Sequence, residues 1–281
     1  MTPQQTNGRP TPALSDLSVT EFLTLSRMGF LPHGLVIGCA IWDAGTPGMF
    51  AGLSHAVRVQ NAQNVALALR SARRTALGRM WEQARALSAE GVVGVRLTLE
   101  HHLWRGGHQV VKIIAVGTAI GFDASHAPRE FANAPSLALS RGGPFTSDLS
   151  GQDFVALLRA GYRPISLATG NALYAIDNTA ALSYLVSLKN EEMTEYTQAF
   201  FDAREEAMDT MTGDLFRRFP SGEPDTPVGV VGMHVDEELH GGSMGFVEFT
   251  AYGTAVAPAL PGDPRVSREH PSPQVVVPLD R

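Results

Sequence analysis

The sequence predicts an α+β protein made of two tandem β-α-β-β units. Each unit has a short preceding helix and a long helix packed on a three-stranded sheet that contains an antiparallel hairpin. Two observations carry this. Ser15–Trp42 aligns without gaps to Ser147–Tyr174, with 12 of 28 positions identical. The register then persists: Ala72, Arg73, Ala76 and Met80 match Ala203, Arg204, Ala207 and Met211, Val92-Val93-Gly94 match Val230-Val231-Gly232, and Gly117-Thr118-Ala119 match Gly253-Thr254-Ala255. Each copy is a control on the other, because a residue present in both is expected to serve the fold.

The boundaries come from composition. Residues 1–13 are polar and read as a disordered lead; 14–122 form the first unit and 147–257 the second. Residues 123–146, rich in Pro, Ala, Ser and Gly, read as a linker. Residues 258–281 carry six of the chain's 18 prolines, too many for a helix or a central strand. Val275–Val277 is the tail's last apolar run.

Within each unit the elements come in the same order. Ser18 followed by Glu21 has capping-box spacing, and Ser150 with Asp153 is a weaker version. The short helices end near Gly29 and Gly161, and Leu31–Trp42 and Arg163–Ala175 read as strands. Val65, Leu69, Ala72, Ala76, Met80, Ala84 and Leu87 recur at helical spacing, as do Met193, Tyr196, Phe200, Ala203, Ala207, Met211 and Leu215. These stripes read as core, with Gly91 as the first helix's C-cap. Two strands around a Gly-Gly turn close each unit: Val92–Trp104 and His108–Phe122 flank Gly106-Gly107, and Val228–Leu239 and Gly245–Ala257 flank Gly241-Gly242. One face of such a sheet is left without its own cover, so pairing with another copy is expected.

Composition excludes several function classes. A net charge of −6 and a pI near 5.8 give no footprint for nucleic acid. The basic run Arg70, Arg73, Arg74, Arg79 and Arg85 reads as a solvated helix face. Cys39 is the single cysteine, which rules out an intrachain disulfide and reads as a small buried thiol. The N-terminus lacks a signal-peptide pattern and no window is apolar enough to span a membrane, so a cytoplasmic protein is expected.

The A-R/E-x-x-A pattern of the long helix, the V-V-G strand and the G-T-A of the last strand resemble the YbjQ family, usually described as heavy-metal-binding. The resemblance covers about 220 of the 281 residues in two copies. It implies a β-α-β-β unit that assembles into rings, pentameric in members with one unit. A fused pair is a departure: its two units could share one ring or occupy two stacked rings. A homo-oligomer is expected either way.

The best candidate for chemistry is the strand before the second turn. His234, Asp236, Glu238 and His240 alternate with Met233, Val235, Glu237 and Leu239, so one face collects two imidazoles and two carboxylates about 7 Å apart along the strand. Such donors suit a divalent transition metal, zinc, nickel or copper. The aligned strand repeats Glu100 and His102, and His101 and His108 add nearby donors. A solvated polar strand is the competing reading. Gly241–Gly245 fits G-x-S-x-G, but that motif needs a following helix and here a strand comes next, so it reads as a hairpin turn. No P-loop, dinucleotide fingerprint or catalytic triad is apparent. The sequence therefore points to a non-enzymatic oligomeric binding protein, with a ring-forming scaffold as the alternative and a hydrolase as the weakest.

Overall fold

The computed structural model describes residues 12–45, 55–103, 108–128, 136–176, 192–240 and 246–259. The two expected Gly-Gly turns, the G-x-S-x-G segment and Val275–Val277 lie outside them.

The first unit runs α1 (Val19–Arg27), β1 (Phe30–Gly45), α2 (His55–Ala86), β2 (Gly91–Leu103) and β3 (Gln109–Phe122). A two-residue strand, β4 (Phe145–Thr146), precedes the second unit: α3 (Gly151–Arg159), β5 (Tyr162–Ala175), α4 (Thr194–Arg218), β6 (Gly229–His240) and β7 (Phe246–Pro258). The sheets have matching orders, β1-β3-β2 and β5-β7-β6, with all these neighbours antiparallel. Register shifts fall at equivalent places, Pro32/Gly34 and Pro164/Ser166, then Val93/Arg96 and Val231/His234.

The recurring residues have physical causes. A Cβ on Gly38 would lie 1.8 Å from the Ala76 carbonyl oxygen, and one on Gly170 would lie 2.0 Å from that of Ala207. The long helix of each unit therefore rests its backbone directly on the first strand, which only glycine facing alanine allows. Thr118 and Thr254 each accept the N–H of the aspartate in the repeated Ser-Asp-Leu-Ser, Asp16 and Asp148, at 3.0 Å. Ser18 and Ser150 both cap their helices, and Ser18 completes its box with Glu21.

The two units are stacked in alternating layers. Alternate residues of β5 face opposite ways. Ala172 meets Ala203 and Ala207 of α4, whereas Leu167 and Leu173 join the core formed by α2 and the first sheet. Helix α2 thus lies between the two sheets, and Leu69, Ala72, Ala76 and Met80 are completely buried. Burying a Leu or Met of this kind stabilises by about 1.5–3 kcal/mol each. This also corrects the solvated-face reading for one of the arginines: Arg73 is only 5% exposed, because the second sheet covers that side of α2, whereas Arg74, Arg79 and Arg85 are exposed.

Gly91 does not cap α2. The left-handed residue there is Ser88, with φ 53°, while Gly91 starts β2. Its missing side chain leaves room for Phe145, whose ring would stand 2.1 Å from a Cβ. The end of the segment read as a linker is packed: Leu137 and Phe145 are buried, and β4 adds to β2 in parallel.

Candidate metal centre at the joint between the units

Strand β6 presents its polar face as the alternation requires, and among the described residues His234, Asp236 and Glu238 do not form a common cluster. His234, Asp236, Glu238 and His240 stand opposite Tyr252, Thr250, Glu248 and Phe246 of β7, one pair per step along the ladder. His234 stacks on Tyr252 with ring centroids 4.9 Å apart, and its Nε2 lies 3.5 Å from Oδ2 of Asp148. Asp236 is exposed, and the His240 side chain lies outside the described residues. In the first unit Glu100 is held by Lys112 and by His102, each at 3.0 Å. The Lys112 hydrogen bond, followed by that of His102, keeps the Glu100 carboxyl below its usual range. An ammonium group already sits where a cation would approach this carboxylate.

A different set does come together. Among the described residues, His101 of β2, Glu238 of β6 and Glu248 of β7 bring one ligand atom each to within 4.8 Å of one another. His101 Nε2 and Glu248 Oε2 are 2.9 Å apart, with Glu248 almost fully buried and His101 partly so. Two ligands of one tetrahedral ion with bonds of about 2.1 Å stand about 3.4 Å apart, so this pair, in direct hydrogen-bond contact, would have to open by about 0.5 Å to admit an ion. Glu238 is exposed and can swing toward it. The first unit supplies the imidazole and the second both carboxylates, so the cluster exists only where the units meet.

Glu248 has a further neighbour. Burial lowers the Arg73 guanidinium to about 10, with Glu248 opposing that fall and Arg70 adding to it. A dication at this point would share Glu248 with a buried arginine. Reading along strands found Glu238 and noted His101, but missed Glu248. The available signal was its place as the one charge in Phe246–Tyr252, a strand otherwise apolar or uncharged.

A second concavity, of about 680 Å³, opens along the free edge of β5 between α2 and α4 and is lined by Arg70, Arg74, Arg217 and Arg218 among others. Its arginines have local work. Arg70 and Arg218 donate to the outward carbonyls of Asn171 and Leu167, both at 3.4 Å. On β1 the equivalent edge is closed by Gln83, which accepts from Ile37 N–H at 2.9 Å and donates to Ile37 C=O at 2.7 Å. Both sheets thus cover an edge strand with side chains.

Residues 33–123, from β1 to just past β3, match the model of a family described as "Putative heavy-metal-binding", YbjQ. A protein of Mycobacterium tuberculosis (strain ATCC 25618 / H37Rv), called "Encapsulin nanocompartment protein Rv1762c", is 35% identical over 267 residues, which is 95% of this chain and 91% of the relative. The chain belongs to the YbjQ-like family. The family match covers the first unit, and the shared register and contacts extend the same architecture to the second. The family description names binding, and the relative's name a nanocompartment. No helix among the described residues is long and apolar enough to cross a membrane.

Proposed function

We propose that this protein is a non-enzymatic, self-assembling building block that holds a divalent transition metal, zinc, nickel or copper, at the joint between its two units. The observation that carries the metal reading is the His101–Glu238–Glu248 cluster, whose borderline nitrogen donor and two carboxylates suit such an ion. The family description and the relative's name support binding and assembly respectively. Dialysis against each metal followed by elemental analysis tests the site. The parent is expected to retain metal, with His101→Ala and Glu248→Gln losing most of it; equal retention by both variants would overturn these ligands.

A second reading is favoured by Arg73. With a guanidinium on one side of Glu248 and an imidazole on the other, the cluster is an ion-pair staple between units, and the assembly carries no metal. An apo protein as stable and as assembled as the metal-treated one would select this reading.

A further inference from the structure

The exposed large apolar side chains are not scattered. Apart from Trp42, Leu67, Leu87 and Met193, those of the described residues form two groups. One lies on the lead, α1 and the open side of β1, including Leu14, Val19, Phe22, Leu23, Ile37 and Ile41, which are 41–76% exposed. The other lies on β6 and the outer side of α4, including Val231, Met233, Val235, Leu239, Phe201 and Phe216, which are 37–57% exposed.

In each group, residues of α1, β1 and the start of β6 are the repeat equivalents of residues buried inside the chain, while Phe201 and Phe216 of α4 take the places of Arg70 and Arg85. Phe22 and Leu23 correspond to Phe154 and Val155 of α3, which are 0% and 3% exposed. Ile41 corresponds to Leu173, at 8%. On the other side, Val231 and Met233 correspond to Val93 and Val95 of β2, at 0% and 1%. Those residues are buried because the second unit seats on the first. Ser147 N–H donates to Val92 C=O at 2.9 Å, Val95 N–H to Ser147 C=O at 2.9 Å, and Gly94 N–H to Leu149 C=O at 3.1 Å. Phe145, Leu149 and Phe154 then pack with Val93 and α1.

We propose that the chain docks head to tail on a second copy of itself, repeating this internal joint. The lead and α1 of one copy seat on β6 of the next, and the open face of the first sheet seats on α4. The inference rests on the self-assembly reading and supplies its surfaces. The repeat fixes the register: Ser15 N–H donates to Val230 C=O, Met233 N–H to Ser15 C=O, and Gly232 N–H to Leu17 C=O of the neighbouring copy. Among the described residues β6 is an edge of its sheet and has no strand beside it, whereas β2 has β4. Two different surfaces meet, so the contact is heterologous and propagates until it closes. A closed ring made this way contains whole chains, and therefore an even number of units.

The joint also loses its charged cluster when repeated. The equivalents of His101, Glu238 and Glu248 are Leu239, Glu100 and Lys112, so the intermolecular seam has no counterpart of the candidate metal centre.

Two variants test the seam on the full chain. Phe22→Asp spoils the lead side and Val231→Asp the β6 side, and both positions are exposed, so the fold is expected to survive, as checked by circular dichroism. Native mass spectrometry should show the parent as a multimer and each variant as single chains. An equimolar mixture of the two should form pairs, because each brings one intact surface. In a Cys39→Ser background, Leu14→Cys with Val230→Cys should form chain-to-chain disulfides on oxidation, since the equivalent Thr146 and Val92 are register partners. A parent that stays a single chain at micromolar concentration overturns both the seam and the assembly reading. A multimer indifferent to both aspartates and giving no cross-link overturns the seam alone.

Discussion

Strands β2 and β6 begin with the same Val-Val-Gly and bulge at the same place, yet they live in opposite surroundings. Val93 is fully buried and Val231 is 37% exposed. The strands themselves do not account for the difference: after β3 comes a segment whose end, Phe145–Thr146, turns back onto β2 and covers it. The shared residues thus specify the backbone of a unit, and the position of the unit in the chain specifies its burial.

That separation is open to attack first at the two strand glycines. If shared residues serve the unit itself, Gly38→Ala and Gly170→Ala should be about equally damaging, although the first lies beside an open sheet face and the second inside the stack. Each would press a methyl group into a helix carbonyl, at 1.8 and 2.0 Å. Relief requires moving α2 or α4 off its sheet, at roughly 3 kcal/mol in urea unfolding. A tolerated substitution at either position would show that the helix seats by side-chain packing rather than by backbone contact.

The same division decides what could be read from sequence. Gly38, Ala76 and Thr118 recur with Gly170, Ala207 and Thr254 because they make contacts within a unit, and comparing the copies picks these out. Element order and the limits of the long strands were legible to within three residues for the same reason, β1 running on to Gly45, since alternation and helical spacing are local signals. Helix α2 begins at His55, ten residues before Val65, the first position of the predicted apolar stripe. The burial of Arg73, the place of Gly91 against Phe145 and the meeting of His101 with Glu248 all depend on how one unit lies on the other. No local pattern encodes these, and the candidate metal centre is of this kind.

A medium effect is expected at the twin aspartates, which share a backbone contact but not an electrostatic one. Asp16 reaches Arg96, which is largely exposed. Asp148 is buried beside Thr254, and burial raises its carboxyl above the ordinary 3.8, against the opposing Thr254 hydrogen bond and His234. A raised folded-state value means the native form holds its proton longer than the unfolded chain. The stability contributed by Asp148 is therefore fully present below the unfolded value and is lost as pH rises through the folded one. Asp148→Asn should flatten that decline when unfolding free energy is measured between about pH 4 and 7. Removing the buried partner instead, as in Thr254→Val, should cost about 2 kcal/mol by stranding polar groups.

The smallest effect concerns the two helix caps, and it separates local from inter-unit stabilisation within one residue. Ser150 accepts from Asp153 N–H at 3.2 Å and donates to the Asp153 carboxylate at 2.7 Å, so that cap is self-contained. Glu21 does more: one carboxylate oxygen accepts Ser18 N–H at 2.8 Å, and the other accepts Gly151 N–H, at the start of α3, at 3.1 Å. One side chain therefore closes the cap of α1 and satisfies an orphan donor of α3. Asp153→Ala should cost about 0.5 kcal/mol, and Glu21→Ala about 1–1.5 kcal/mol, because it breaks two charge-assisted hydrogen bonds at a half-buried site. Burial pushes the Glu21 carboxyl up, but the Ser18 and Gly151 hydrogen bonds outweigh it and hold the group below its usual 4.5. Its contribution is thus present above that value and fades as pH falls, the opposite sense to Asp148. Equal costs for the two substitutions at neutral pH would mean that the Gly151 contact adds nothing, and that α1 and α3 are held together by Leu25, Phe154 and their apolar neighbours alone.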